Sequence, residues 1–270
     1  MDGNDTQLLI FSLGKGLIET DNLGINRAAL FGDGVFETMV YKNGRIRFLK
    51  EHGERLEAGL KTLKIEPSSL SIGQLEELLQ AQFTEKDLRI RWNVFRSGLG
   101  KYTPMSNGAK DLIVVQDLDK PIKIKGHAYV STTIAISPSP WSHCKTLNAL
   151  PYVMANIERK ELGMDEVILL DDKGFVSEAG SANIFWLTEN VFYTPSLACN
   201  CIAGVGRRKI IEGLRKAGHI LIEGQFTFKE LLEAEKVFTS NVTGIAYIGS
   251  LENRSYDTRL LPEVEQLFNE

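Results

Sequence analysis

Three residue types in this chain could carry demanding chemistry if the fold removes them from bulk water: a lysine, a glutamate and an arginine. Lys145 lies in WSHCKTLNALPYVMANIERK, residues 141–160, between His143-Cys144 and a run of apolar residues. In that run Leu147, Leu150, Val153, Met154 and Ile157 recur at mostly helical spacing, which predicts a helix after Lys145. A lysine nucleophile works only when deprotonated, and burial or a neighbouring cation can lower its pKa by several units from about 10.4. A strand-to-helix junction ahead of an apolar face is compatible with the partial burial this needs. Alone, the same pattern also describes a solvated lysine at a helix start.

Glu178 opens a second stretch, SEAGSANIF, residues 177–185, in which Ala179-Gly180-Ser181-Ala182 precede a strand. Small residues there would let a bulky flat group approach the backbone, although a solvent-facing acid beside a flexible loop has the same signature. In CIAGVGRRKII, residues 201–211, Gly204 and Gly206 precede a basic helix start. Backbone N–H groups and a helix dipole at such a start suit an anion. The turn is not a dinucleotide fingerprint, because no third glycine follows at the right spacing. A similar anion-friendly turn spans residues 239–244 and contains Ser240 and Asn241. Arg55 falls on a helix after the first hairpin and, taken alone, is an ordinary surface arginine.

The elements that must position these residues read as mixed α and β. Strands at residues 34–41 and 45–48 flank Asn43-Gly44, a strong hairpin signal. Helices follow at residues 50–64, with Leu56, Leu60 and Leu63 on one face and Pro67 after the end, and at residues 71–83. Strands are predicted at residues 88–95 and 112–116. The segment DLDKPIKIKG, residues 117–126, is charged and carries Pro121, which makes it the expected linker between a domain at 1–120 and another at 121–270. Beyond it, short strands are expected at residues 128–136, 166–170, 175–177, 183–187, 191–193 and 236–240. Asp171-Asp172-Lys173-Gly174 forms a hairpin turn. Helices are expected after Gly206, at residues 228–233 and near the terminus. The class is α+β.

Composition narrows the partners. The 270 residues are 43% hydrophobic and 24% charged with a net charge of -4, close to ordinary globular usage. No Lys/Arg block or aromatic-interleaved basic stripe is present, so no nucleic-acid partner is expected. The start MDGNDTQLLIFSLG lacks a basic segment followed by a long apolar one, and no apolar run nears the ~20 residues that span a bilayer. Cys144, Cys199 and Cys201 are odd in number and lack the C-x-x-C spacing of zinc or redox sites. The expectation is reduced cysteines, no metal and a cytoplasmic location.

Taken in order, these pieces change meaning. Lys145, then Glu178 with E-x-x-x-x-N-I-F, then Tyr193-Thr194-Pro195, then Gly204-Val205-Gly206-Arg207, resemble the signature of class IV pyridoxal-phosphate enzymes. FGDGVFET at residues 31–38 and H-x-x-R at residues 52–55 fall in the expected places. The similarity runs from about Arg27 to about Tyr247. Members include branched-chain and D-amino-acid aminotransferases and aminodeoxychorismate lyase. The resemblance implies fold type IV, with a smaller N-terminal α/β domain and a larger barrel-like C-terminal α/β domain. It further implies a cofactor between the two, and a homodimer in which each site borrows a loop from its partner.

By that resemblance Lys145 forms the Schiff base with pyridoxal phosphate and shuttles the substrate's α-proton. Glu178 bonds the pyridine nitrogen, where a carboxylate keeps the ring an electron sink. Arg55 binds the phosphate, for which bidentate guanidinium geometry is suited. Val205, Gly206, Ser240 and Asn241 complete the phosphate cup, with Gly206 standing where the family has a threonine. On the substrate side the resemblance points to Arg96 for the carboxylate, with Phe36, Glu37, Lys101 and Tyr102 around it.

The three subfamilies are each matched only in part. Glu37 looks aminotransferase-like, whereas RSGLGKYTP at residues 96–104 resembles a lyase stretch. Arg96 matches the arginine of the D-amino-acid R-x-H trap, but Gly98 occupies the histidine position and Phe36 replaces a tyrosine. Leu150 stands where the branched-chain pattern has tyrosine. The favoured expectation is transfer of an amino group from a branched-chain or D-amino acid to a 2-keto acid. The alternative is 4-amino-4-deoxychorismate lyase, releasing pyruvate and 4-aminobenzoate. A third is a degenerate binding protein that kept the fold and lost activity.

Overall fold

The computed structural model of the chain describes residues 7–20, Gly24 and residues 26–269. The chain divides into two compact units. Unit one comprises Met1–Lys120 and Cys144–Ala149, and unit two comprises Pro121–His143 and Leu150–Glu270.

Unit one contains β1 (Gln7–Ser12), β2 (Gly16–Glu19), α1 (Arg27–Phe31), β3 (Gly34–Lys42), β4 (Arg45–Ile46), α2 (Leu49–Thr62), α3 (Ile72–Gln82), β5 (Leu88–Arg96) and β6 (Ala109–Asp117). Its six strands form one antiparallel sheet in the order β2-β1-β6-β5-β3-β4. Asn43 and Gly44 have φ of 52° and 75°, both left-handed, as the two-residue turn between β3 and β4 requires. Ser71 caps α3 in a reciprocal capping box with Gln74. Leu56 and Leu60 of α2, with Leu75 and Leu79 of α3, pack onto Met39, Ile90 and Trp92 of the sheet. Each such buried side chain contributes roughly 1.5–3 kcal/mol.

Unit two contains β7 (Ile124–Ile136), α4 (Leu150–Glu161), β8 (Glu166–Asp171), β9 (Val176–Ala179), β10 (Asn183–Thr188), β11 (Val191–Pro195), α5 (Val205–Lys216), β12 (Ile220–Gly224), α6 (Phe228–Leu232), β13 (Lys236–Asn241), β14 (Gly244–Leu251), β15 (Arg254–Ser255) and α7 (Pro262–Glu265). The sheet order is β12-β11-β10-β13-β14-β7-β8-β9, with β15 beside β14. The β11–β12, β14–β7 and β7–β8 pairs are parallel, so the sheet is mixed. Ile168, Ile184, Trp186, Val237 and Ile248 form its core. At the turn after β8, Asp171 Oδ1 accepts from the N–H groups of Lys173 and Phe175.

Three departures from the sequence reading matter. First, α4 begins at Leu150, so Lys145 precedes the helix by more than a turn and is not at its start. The apolar stripe that signalled the helix faces outward: Leu150, Val153, Met154 and Ile157 are 63%, 51%, 45% and 43% exposed. Second, the second unit is not contiguous, because Cys144–Ala149 belongs to unit one. Third, the irregular part of the interdomain segment is only residues 118–123, between β6 and β7. The three cysteines are buried free thiols. Among the described residues no helix is long and apolar enough to cross a membrane.

Candidate active site

The backbone of Lys145 is fixed by the start of β3. Phe36 N–H donates to the Lys145 carbonyl at 2.9 Å, and Leu147 N–H donates to the Gly34 carbonyl at 2.9 Å. Between these bonds Thr146 bridges Val35 in antiparallel fashion. The FGDGVFET segment therefore supplies a strand edge against which a lysine in irregular chain is held. Lys145 is half-buried, and its Nζ lies 4.5 Å from the centroid of the Phe36 ring. Arg91 of β5 packs on that same ring with Cζ 3.7 Å from the centroid. The aromatic ring thus contacts two cationic side chains.

Glu37 follows Phe36 on β3 and so points to the opposite face, toward α2. His52 and Arg55 sit three residues apart on α2 and both reach it. Arg55 donates from Nε to Oε1 at 2.8 Å and from Nη2 to Oε2 at 2.5 Å, while His52 Nδ1 donates to Oε2 at 2.6 Å. Glu37 is 1% exposed. Burial alone would raise its pKa, but the Arg55 charge and the hydrogen bonds from Arg55 and His52 outweigh it and bring the carboxyl down to about 2. An acceptor-only carboxylate fixes the proton of His52 on Nδ1, and Nε2 is buried without a partner among the described residues. Glu37, expected beside the substrate, instead sits under Arg55 and His52. Both its oxygens are engaged, and it orients Arg55.

Arg96, expected at the substrate carboxylate, is also bonded within unit one. Its Nε donates to Asp33, its Nη1 to Asn107 Oδ1 and the Lys64 carbonyl, and its Nη2 to the Leu63 carbonyl. Those bonds make Arg96 a framework residue joining β5 to three loops. Asp33 is also held by Arg27 Nε at 2.7 Å, and Arg27 Nη1 donates to the Lys101 carbonyl at 2.8 Å. The loop carrying Lys101 and Tyr102 is anchored there through its backbone. Both side chains are exposed, and Tyr102, 91% exposed, has its ring 5.8 Å from that of Phe31.

In unit two, Glu178 lies on β9 and is 5% exposed. Its Oε1 accepts from Tyr152 OH at 2.7 Å and from Ile202 N–H at 3.3 Å. Tyr152, from the inward side of α4, is the site residue that sequence reasoning missed. Its position within an apolar helical run hid it.

Helix α5 starts at Val205 with Gly204 as N-cap and no side-chain cap bond. The N–H groups of its first turn, including those of Val205 and Gly206, are the donors an α-helix leaves without an internal partner. Gly204 has to be glycine, since a Cβ there would lie 2.0 Å from Asn183 Oδ1. Asn183 in turn donates from Nδ2 to the Ser240 carbonyl at 2.7 Å and to Ser240 Oγ at 3.1 Å. This ties the N-terminus of α5, β10 and the end of β13 together. Asn241 Oδ1 accepts from Thr243 N–H and Oγ1, so that side chain shapes its own turn. Arg207 donates from Nη2 to the Pro195 carbonyl and to Glu223, which makes it a framework residue as well.

Unit one therefore holds an amine and a carboxylate-braced guanidinium. Unit two holds a buried carboxylate that accepts from a phenol and a backbone amide, and a helix start suited to an anion. Comparison with known proteins gives this combination a context. Among curated proteins, the chain is 26% identical over 235 residues to an aminodeoxychorismate lyase of Vibrio harveyi, covering 84% of this chain and 86% of that protein. It is 28% identical over 250 residues to a putative branched-chain-amino-acid aminotransferase of Methanocaldococcus jannaschii, covering 89% and 86%. The fold superposes on that of the branched-chain aminotransferase of the thermophilic archaeon Thermoproteus uzoniensis, solved with norvaline, with a TM-score of 0.84 at 24% identity over 97% of this chain and 92% of that one. Residues 34–251, from the start of β3 to the end of β14, match the family model for amino-transferase class IV, and the chain belongs to that family of enzymes.

Proposed function

We propose that the chain is a pyridoxal-phosphate-dependent aminotransferase that moves an amino group from a small amino acid, of the branched-chain or D type, to a 2-keto acid. The fixing of Lys145 against β3 carries this reading, because a covalent cofactor linkage needs an amine on an immobile backbone. The other donors fit the cofactor's parts. Arg55, braced by Glu37, and the first-turn N–H groups of Val205 and Gly206 suit a phosphate, with Ser240 beside them in the same network. Glu178 suits a protonated ring nitrogen.

Bound pyridoxal phosphate supplies an electron sink for the charge left when a proton leaves the substrate's α-carbon. In this chain Lys145 would supply the amine that holds the cofactor's aldehyde carbon and, when free, would carry that proton. Phe36 offers an apolar face beneath the Lys145 amine. With Arg96 engaged internally, Arg91 takes over as the partner of the substrate carboxylate. Its Nε is held by Asn93 Oδ1 at 2.9 Å, which aims the remaining donors. Lys101 and Tyr102 line the approach from their exposed loop. The reading carries a cytoplasmic homodimer, for which light scattering of purified protein is the test.

Purified protein should absorb at about 410–430 nm and bleach on borohydride reduction. Lys145→Ala should be colourless, and an unchanged spectrum would sink the assignment. The lyase remains the second reading because residues 96–104 resemble that subfamily. Branched-chain L-amino acids, D-alanine and aminodeoxychorismate, supplied separately, decide between them. Product formation that requires a keto-acid acceptor supports transfer, whereas acceptor-independent pyruvate from aminodeoxychorismate supports the lyase.

A further inference from the structure

Although its apolar stripe is exposed, α4 packs on unit two through buried Ala155 and the Tyr152 ring, and polar side chains add to that packing. Tyr152 OH donates to Glu178, and Asn156, one turn later, donates from Nδ2 to the Gly180 carbonyl at 2.9 Å. From the other side, Gly180 N–H donates to the Val167 carbonyl at 2.9 Å. The packing is close enough that a Cβ on Gly180 would lie 2.6 Å from Val167 Cγ1. The turn at Gly180 that follows Glu178 is therefore gripped by α4 on one side and β8 on the other. Burial and the Glu178 charge push the Tyr152 phenol far above its ordinary value, so it stays a donor throughout the physiological range.

We propose that Tyr152 is a positioning residue for Glu178: its hydroxyl sets the direction of the carboxylate and favours its ionised form, so that Glu178 meets the cofactor's ring nitrogen as an oriented anion. The inference rests on the assignment of Glu178 to that nitrogen. A donor on the ionised form stabilises it, and tying one oxygen removes torsional freedom that binding would otherwise have to freeze. An anion that resists protonation leaves the proton on the ring nitrogen.

Tyr152→Phe deletes the hydroxyl and keeps the ring. Apoprotein should be titrated with pyridoxal phosphate and with its 1-deaza analogue, in which a C–H replaces the ring nitrogen. Wild type should prefer the natural cofactor by about tenfold or more, the scale of a hydrogen bond to a charged group. Tyr152→Phe should weaken pyridoxal phosphate by several-fold and leave the analogue unchanged, so the preference falls. Asn156→Ala, which loosens α4 without touching Glu178, should keep the wild-type preference. An unchanged preference in Tyr152→Phe overturns the inference, as does equal weakening of both ligands. An equal fall in preference in Asn156→Ala also overturns it, because docking of the helix would then be the cause. Wild type that binds both ligands alike removes the Glu178 assignment itself, a failure visible before any variant is made.

Discussion

Glu37 in unit one and Glu178 in unit two are both buried carboxylates, yet different kinds of donor hold them. Glu37 takes a bidentate guanidinium and an imidazole N–H. Those cationic and polar partners answer its charge inside the protein, and the carboxyl falls to about 2. Glu178 takes a phenol and a backbone amide. The phenol and the amide N–H direct the Glu178 carboxylate from two fixed positions. The bonds to Glu37 fasten Arg55, whereas the proposed function gives Glu178 the ring nitrogen. Burial is common to the two carboxylates; their named donors differ.

Neutralising each carboxylate should break the chain in a different way. The largest effect is expected from Glu178→Gln, which should lower kcat by about 10²–10³ with little change in stability, since a neutral amide does not keep the proton on the ring nitrogen as a carboxylate does. A comparable loss of stability with retained turnover would reverse the two roles.

Glu37→Gln should act chiefly on stability. Removing the carboxylate from this buried, hydrogen-bonded charge cluster costs on the order of 3 kcal/mol near neutral pH. The pH dependence follows from the sign of the shift. Glu37 is depressed from 4.5 to about 2, so its contribution is complete above its unfolded value and is lost as pH falls through its folded one. Urea denaturation of wild type and Glu37→Gln should show a gap that is constant above pH about 5 and closes toward pH 2. A gap independent of pH across that window contradicts the assignment.

The smallest expected effect separates two arginines of β5. Arg91→Gln should raise KM for the amino acid about tenfold with kcat less affected, as loss of a charge-assisted contact would. Arg96→Gln should instead destabilise unit one, because its partners in three loops lose their donor. Steady-state kinetics beside thermal unfolding distinguishes them, and a KM effect confined to Arg96→Gln would restore the substrate role first expected of it.

The sequence and the structure agree where local chemistry decides. Asn43-Gly44 supplies two left-handed residues at a hairpin, and Ser71 with Gln74 closes a capping box. Agreement fails where distant residues decide. Periodicity marked α4 correctly as a helix, but an apolar stripe does not say whether it faces the core, and here it faces out. Lys145 is held by a bridge to β3, more than a hundred residues earlier in the chain, which no local pattern encodes. Arg91 and Arg96 are alike in sequence, and only Asp33, Leu63, Lys64 and Asn107 reveal which one is tied internally. Strand β14 was not anticipated, because GIAYIGSL is largely buried and shows no clean alternation.

The central claim is that Lys145 carries the cofactor. Protein loaded with pyridoxal phosphate, reduced with borohydride and digested, should yield a phosphopyridoxyl adduct on the peptide containing Lys145, located by tandem mass spectrometry. An adduct on another lysine, or none after saturating cofactor, would contradict the account.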